Sequence, residues 1–218
     1  IHIDNKYMMS PKDLCTIDFL DKFIDAGVKV FKIEGRARSA DYVKTTASCY
    51  REAADAVADG SFTEDFGSSL KERLSTVFNR GFWDGYYLGA KMGEWSSVYG
   101  SHATRNKVYV GKVTNWFDRI GVAEVQVEAT ELRRGDNLLF IGNTTGILEM
   151  KVEDLRVDLK EADVAPQGCR CSIAVPLEGM PEDKINPDSA GGRIHPRRGD
   201  KGYIWVISTK YPNRENVR

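Results

Sequence analysis

Near residue 106 the spacing of the apolar residues changes from three-to-four to two. The first spacing lines one face of an α-helix and the second lines one face of a strand, so one type of secondary structure cannot serve the whole chain. The chain is therefore read as α+β and multidomain. Residues 1–105 carry helices and β/α elements, residues 106–212 are all-β, and a short tail follows at 213–218. The 218 residues suffice for one large or two small domains.

In the first part, residues 1–9 alternate and end on apolar groups, which predicts a strand reaching Met8 or Met9. Ser10-Pro11-Lys12-Asp13 predicts a helix start, with Ser10 or Asp13 as cap and the proline in the first turn. Leu14, Ile17, Leu20 and Ile24 fall at helical spacing, and Gly27 is a suitable stop. Val28, Val30 and Phe31 favour an extended segment up to Ile33. Ser39 predicts the N-cap of a helix over 40–58, with Val43, Thr46, Cys49, Tyr50, Ala53, Ala54 and Val57 inward. A second helix is expected over 64–78, on Phe66, Leu70, Leu74, Val77 and Phe78. Residues 81–105 are aromatic and rich in glycine without a clean period. They read as a connecting segment packed on its neighbours or, in the functional alternative, as a stacking surface for bases.

In the second part, strands are expected over 107–113, 120–127, 132–142, 146–157, 169–175 and 202–207, separated by glycine-containing turns. Many short strands of this kind suggest a small closed Greek-key β-barrel. Cys169 and Cys171 would share the face of Ile173 and Val175, which favours barrel core over a metal site.

Composition narrows the partners. A net charge of −1 supplies no global field for nucleic acid or anionic lipid, so such binding must use a local patch. No apolar run approaches the roughly 18 residues of a membrane span. The four cysteines, at 15, 49, 169 and 171, form no disulfide framework, which suits a reducing cytoplasm.

Two clusters could carry chemistry. The stretch Lys32-Ile33-Glu34-Gly35-Arg36-Ala37-Arg38-Ser39 turns from the extended segment into the helix, and such loops collect function in β/α proteins. Glu34, Arg36 and Arg38, joined by Lys12 from the preceding turn, suit a multiply charged carboxylate or phosphate, with arginine in bidentate contact. Their alternative is a solvated surface turn. The loop 191–201 holds Arg193, Arg197, Arg198 and Lys201 around His195, and reads either as a solvated hairpin or as a phosphate-backbone patch. There is no HExxH and no GxSxG, and Cys15, His2, His102 and His195 make no recognisable nucleophile–base pair.

Ser10-Pro11-Lys12-Asp13-Leu14-Cys15, Ala26-Gly27-Val28, Lys32 through Arg38, Tyr42-Val43 and Tyr50-Arg51 resemble, in order and spacing, the end of the core domain of peptidase family U32, the collagenase-like peptidases. The resemblance implies the remnant of a modified (β/α) barrel, of which residues 1–58 hold about two of the eight units. The chain would then be the C-terminal portion of a longer protein. It also implies either collagenase-like proteolysis or oxygen-independent hydroxylation of a tRNA or rRNA base or a quinone precursor, with prephenate as co-substrate of the RNA-modifying members. Of these, the cations favour hydroxylation of tRNA; a non-catalytic RNA- or protein-binding module is a further alternative. Cys15 matches the last of four cysteines that hold a [4Fe–4S] cluster in the family; its three partners would lie upstream, so this chain alone should not assemble the cluster. The pattern from Arg133 to Val175 resembles the second-domain barrel of translation elongation factors, in architecture only.

Overall fold

A computed structural model of the protein describes residues 10–96, 100–176 and 194–208. The chain divides into two compact units, residues 1–105 with 207–218, and residues 106–206. The expected strand over residues 1–9, Arg193 and the tail lie outside the described residues.

The first unit is mainly helical. Asp13–Leu14 (β1) pairs in parallel with Phe82–Trp83 (β2). Ile17–Phe19 forms a 3-10 turn that leads into Leu20–Asp25 (α1). Ala40–Asp59 (α2) and Glu64–Ser75 (α3) follow. Cys15, Ile17, Leu20, Cys49, Ala53, Leu70 and Leu74 form one buried cluster between them. Each fully buried Leu or Ile contributes about 1.5–3 kcal/mol relative to exposure. Thr63 caps α3, its hydroxyl accepting from the Phe66 amide at 3.1 Å. Gly60 closes α2 in the left-handed region, at φ 80°.

Four expectations fail in this unit. The helix does not start at Ser10 or Asp13, because the Asp13 and Cys15 amides donate to the Gly81 and Trp83 carbonyls and hold the backbone extended. The Gly27–Ile33 stretch forms no strand: it meets no partner edge among the described residues, and Val30 is 83% exposed. The βαβ unit is therefore not formed among them. Ser39 has extended cap geometry but makes no side-chain cap bond. The second helix ends at Ser75 rather than residue 78, where the Thr76 and Val77 amides turn back to Arg73 and Leu74.

The second unit is a sheet. Its strands are Arg105–Phe117 (β3), Val122–Val127 (β4), Leu132–Arg133 (β5), Asn137–Gly142 (β6), Gly146–Lys151 (β7), Leu155–Val157 (β8), Lys160–Glu161 (β9), Val164–Ala165 (β10), Arg170–Ala174 (β11) and Lys201–Ile207 (β12). Eight of them hydrogen-bond in the order β7-β6-β12-β3-β4-β11-β8-β9, and β5 with β10 makes a separate ribbon. Among the described residues the order is open at β7 and β9, so the strands make a large antiparallel sheet over one core and not the expected closed barrel. In β4 the even-handed alternation is plain: Ala123, Val125 and Val127 are buried, and Val122, Glu124 and Gln126 are not. Cys171 is buried in that core and half-buried Cys169 packs against it, which agrees with their reading as core residues.

Candidate functional site

The KIEGRAR turn borders a cleft of about 810 Å³ in the first unit. The turn is held by its backbone. The Arg36 amide donates to Glu34 Oε1 at 2.7 Å, and the Arg38 amide donates to the Gly35 carbonyl at 3.0 Å. Ala37 sits at φ 58°, a conformation that costs a non-glycine residue roughly 1–2 kcal/mol. Glu34 thus orients Arg36 through its amide rather than through its guanidinium.

The four predicted turn residues divide by role. Arg38 is engaged: its Nη2 lies 3.4 Å from Asp13 Oδ1, and its guanidinium lies 4.1 Å from the Phe78 ring centroid and 5.5 Å from that of Tyr42. Lys12 is paired with Glu94 at 2.5 Å. Arg36 is exposed, and its guanidinium has no ion-pair partner among the described residues. Glu34 shapes the turn, and its carbonyl accepts from the Tyr42 hydroxyl at 3.3 Å.

Sequence reading missed the carboxylate that organises the floor. Asp13 Oδ1 accepts from Arg80 Nε at 3.1 Å and Nη2 at 3.0 Å, while Oδ2 accepts from the Arg80 amide at 3.0 Å. Arg80 lies 67 positions away, and no local spacing announces that pairing. Sequence reading also missed Thr46 as a polar group in the wall. Its hydroxyl oxygen is buried without a hydrogen-bond partner, and the residue lines the cleft. Phe23, Phe31, Tyr42, Tyr50 and Tyr87 add aromatic surface. The lining carries Lys12, Lys32, Arg36, Arg38 and Arg80 against Asp13 and Glu34, so its charge is positive. Tyr50 stays protonated: burial pushes its hydroxyl up to about 12, and that oxygen accepts from the Thr16 amide at 3.0 Å.

Cys15 faces the helical core. It is 2% exposed, and burial pushes its thiol above the ordinary range, against smaller opposing effects of the Ile17 backbone, Lys71 and Tyr50. Burial likewise raises Cys49 to about 11. A cluster ligand must be a thiolate, and no group of three metal-ligating side chains occurs among the described residues. These residues do not by themselves fit an iron–sulfur cluster.

A hydroxyl–imidazole contact does occur in this unit. Ser96 Oγ lies 3.3 Å from His102 Nε2, and burial lowers the histidine's pKa, with Lys12 adding to the effect. Ser96 is 1% exposed, and its amide is tied to the Ser10 carbonyl. A carbonyl substrate has no approach to that oxygen, so the pair lacks the access that nucleophilic catalysis requires.

In the second unit, Arg197 and Arg198 are exposed on the segment leading into β12, and Lys201 is exposed at its first position. No described helix is long and apolar enough to cross a membrane.

A family model for peptidase family U32 matches residues 2–97, and this segment, which builds the cleft, belongs to that family. A protein named collagenase from Porphyromonas gingivalis is 51% identical over 185 residues, covering 85% of this chain and 45% of that protein. The tRNA hydroxylation protein P of Haemophilus influenzae is 31% identical over 150 residues, covering 68% of this chain and 32% of that protein. The chain thus spans less than half the length of either relative. Among solved structures, the C-terminal domain of a Geobacillus thermoleovorans protein assigned to the U32 peptidases aligns at 17% identity and a TM-score of 0.34, over 44% of this chain and 96% of that domain.

Proposed function

We propose that this chain is the C-terminal portion of a cytoplasmic U32 protein that hydroxylates a tRNA uridine, and that the cleft at the KIEGRAR turn holds an anionic reactant. The observation that carries this reading is the cleft wall. It combines aromatic rings with an exposed Arg36 that has no ion-pair partner among the described residues, and with other cations, and this suits a flat, negatively charged molecule. A carboxylate-bearing co-substrate such as prephenate, which the family resemblance implies, has that character. Arg36 binds the carboxylate, Glu34 fixes the turn that presents it, and Asp13 holds Arg38 and Arg80 as the cationic floor. The 31% identity to a tRNA hydroxylation protein supports the choice of RNA.

Proteolysis is the second reading, favoured by 51% identity to a protein named collagenase. Against it stands the inaccessible Ser96 beside His102, together with buried, proton-retaining Cys15 and Cys49. The test compares tRNA nucleosides, by mass spectrometry, from cells with and without the whole protein, alongside gelatin cleavage by that protein after purification. Loss of a hydroxylated uridine on deletion, restored on complementation, is the expected result. Unchanged tRNA with gelatin cleavage that Ser96→Ala abolishes would establish the protease reading instead.

A further inference from the structure

The second unit has an unusual distribution of arginines. Away from one end of the sheet they are engaged. Arg133 pairs with Glu131, Arg134 lies 3.5 Å from Asp163, Arg156 lies 3.3 Å from Asp154, and Arg170 Nε donates to Gln126 at 3.3 Å. Arg119, Arg197 and Arg198 are exposed, and their guanidinium groups have no acidic partner among the described residues. These three share one end. The Val113 amide donates to Asp200 and the Gly199 amide donates to Val113, so the antiparallel course of β3 and β12 brings the 116–120 hairpin tip and the 194–200 segment together.

A ring pair lies at that end. The Trp116 indole, half-buried against the core, and the half-buried His195 imidazole stack with centroids 5.0 Å apart and planes 12° from parallel. Phe117 beside them is 41% exposed. The acids nearby are turned to other tasks. Asp118 accepts from Trp116 Nε1 at 3.2 Å, and buried Asp200 accepts from Thr145 Oγ1 at 2.6 Å and from the Arg197 amide at 2.8 Å. Thr145 Oγ1 also lies 3.1 Å from the His195 carbonyl, so the segment carrying His195 and Arg197 is pinned before any ligand arrives. Gly142 leaves the room for this: a Cβ there would lie 1.8 Å from Asp200 Oδ1.

We infer that this end of the sheet is a binding surface for single-stranded RNA, with a base stacking on the Trp116–His195 pair and phosphates taken by Arg119, Arg197 and Arg198. Stacked rings flanked by guanidinium groups that no described acid neutralises are what unpaired bases and their backbone require. An acidic or apolar protein partner would use the charges or Phe117 but gains nothing from a pinned, parallel ring pair. The choice of RNA over DNA rests on the hydroxylation reading; the surface itself does not.

The test is fluorescence anisotropy of a labelled oligouridylate titrated with the whole chain at several salt concentrations. The Arg197→Ala/Arg198→Ala double variant keeps the backbone amide that Asp200 uses, and is expected to lower the slope of log affinity on log salt by about 1.4. His195→Ala should weaken binding roughly tenfold, and His195→Phe should restore it, because a phenyl ring still stacks. Melting temperatures of all variants are measured in parallel. No oligonucleotide binding, binding indifferent to both sites, or equal binding of polyglutamate would overturn the inference. If the chain binds through these residues and tRNA in cells carries no hydroxylation from the whole protein, this surface stands and the proposed reaction fails. If tRNA is hydroxylated and both variants bind unchanged, the reverse holds.

Discussion

Asp13 shows how a single side chain can organise a region without announcing itself. In sequence it reads as a helix cap; in the structure it holds two arginines from different segments, with its own side chain 16% exposed. Removing an acceptor from charged donors costs about 1.5–3 kcal/mol per bond when they are left unsatisfied. Asp13→Ala should therefore lower the unfolding free energy by about 2–3 kcal/mol in urea titrations followed by tryptophan fluorescence, with Arg38 and Arg80 left unpaired. A change under about 0.5 kcal/mol, the usual figure for a surface substitution, would show that the cluster is merely a solvated network. Arg38 was legible in sequence as a cation of the turn. Its partner was not, because hydrogen-bonding between residues 25 and 67 positions apart leaves no periodic trace.

Elements whose pattern is self-sufficient form where their spacing predicts, although Val43, expected inward on α2, is 44% exposed and α3 stops at Ser75. α2 and α3 carry apolar stripes that bury against each other, and β4, β11 and β12 alternate as half-buried strands do. Elements that depend on a distant neighbour do not. Residues 28–33 have strand composition, yet a strand exists only beside another, and none lies along that stretch among the described residues. β1 and β2 have little pattern of their own and form because their edges meet. The site inherits this difference: the turn's location was legible, and its floor, built by β1 and the residues before β2, was not. At this scale Gly111 gives a direct check on the sheet. It faces Val127 of β4, and a Cβ placed on it would lie 1.8 Å from the Gln126 carbonyl oxygen. Gly111→Ala must push β3 from β4 and should cost about 3 kcal/mol or more, read from the denaturation midpoint. A variant as stable as the parent would mean that the strands do not approach so closely.

At the scale of the whole molecule, two units of different construction offer two kinds of surface. The first presents a cationic, aromatic cleft; the second presents an arginine-flanked ring pair. A protein that modifies a base within a large polyanion needs both capacities, one for a small anionic reactant and one for the nucleic acid. The cleft at the KIEGRAR turn is proposed to bind the reactant through Arg36. That binding is tested by placing Arg36→Ala in the whole protein and measuring hydroxylated-uridine content of tRNA and melting temperature together. Loss of a charge-assisted contact should reduce reactant binding roughly tenfold or more and lower the modified fraction, with stability changed by less than about 0.5 kcal/mol. Full modification by the variant, or loss of modification only in step with unfolding, would contradict the claim and leave the turn a structural feature.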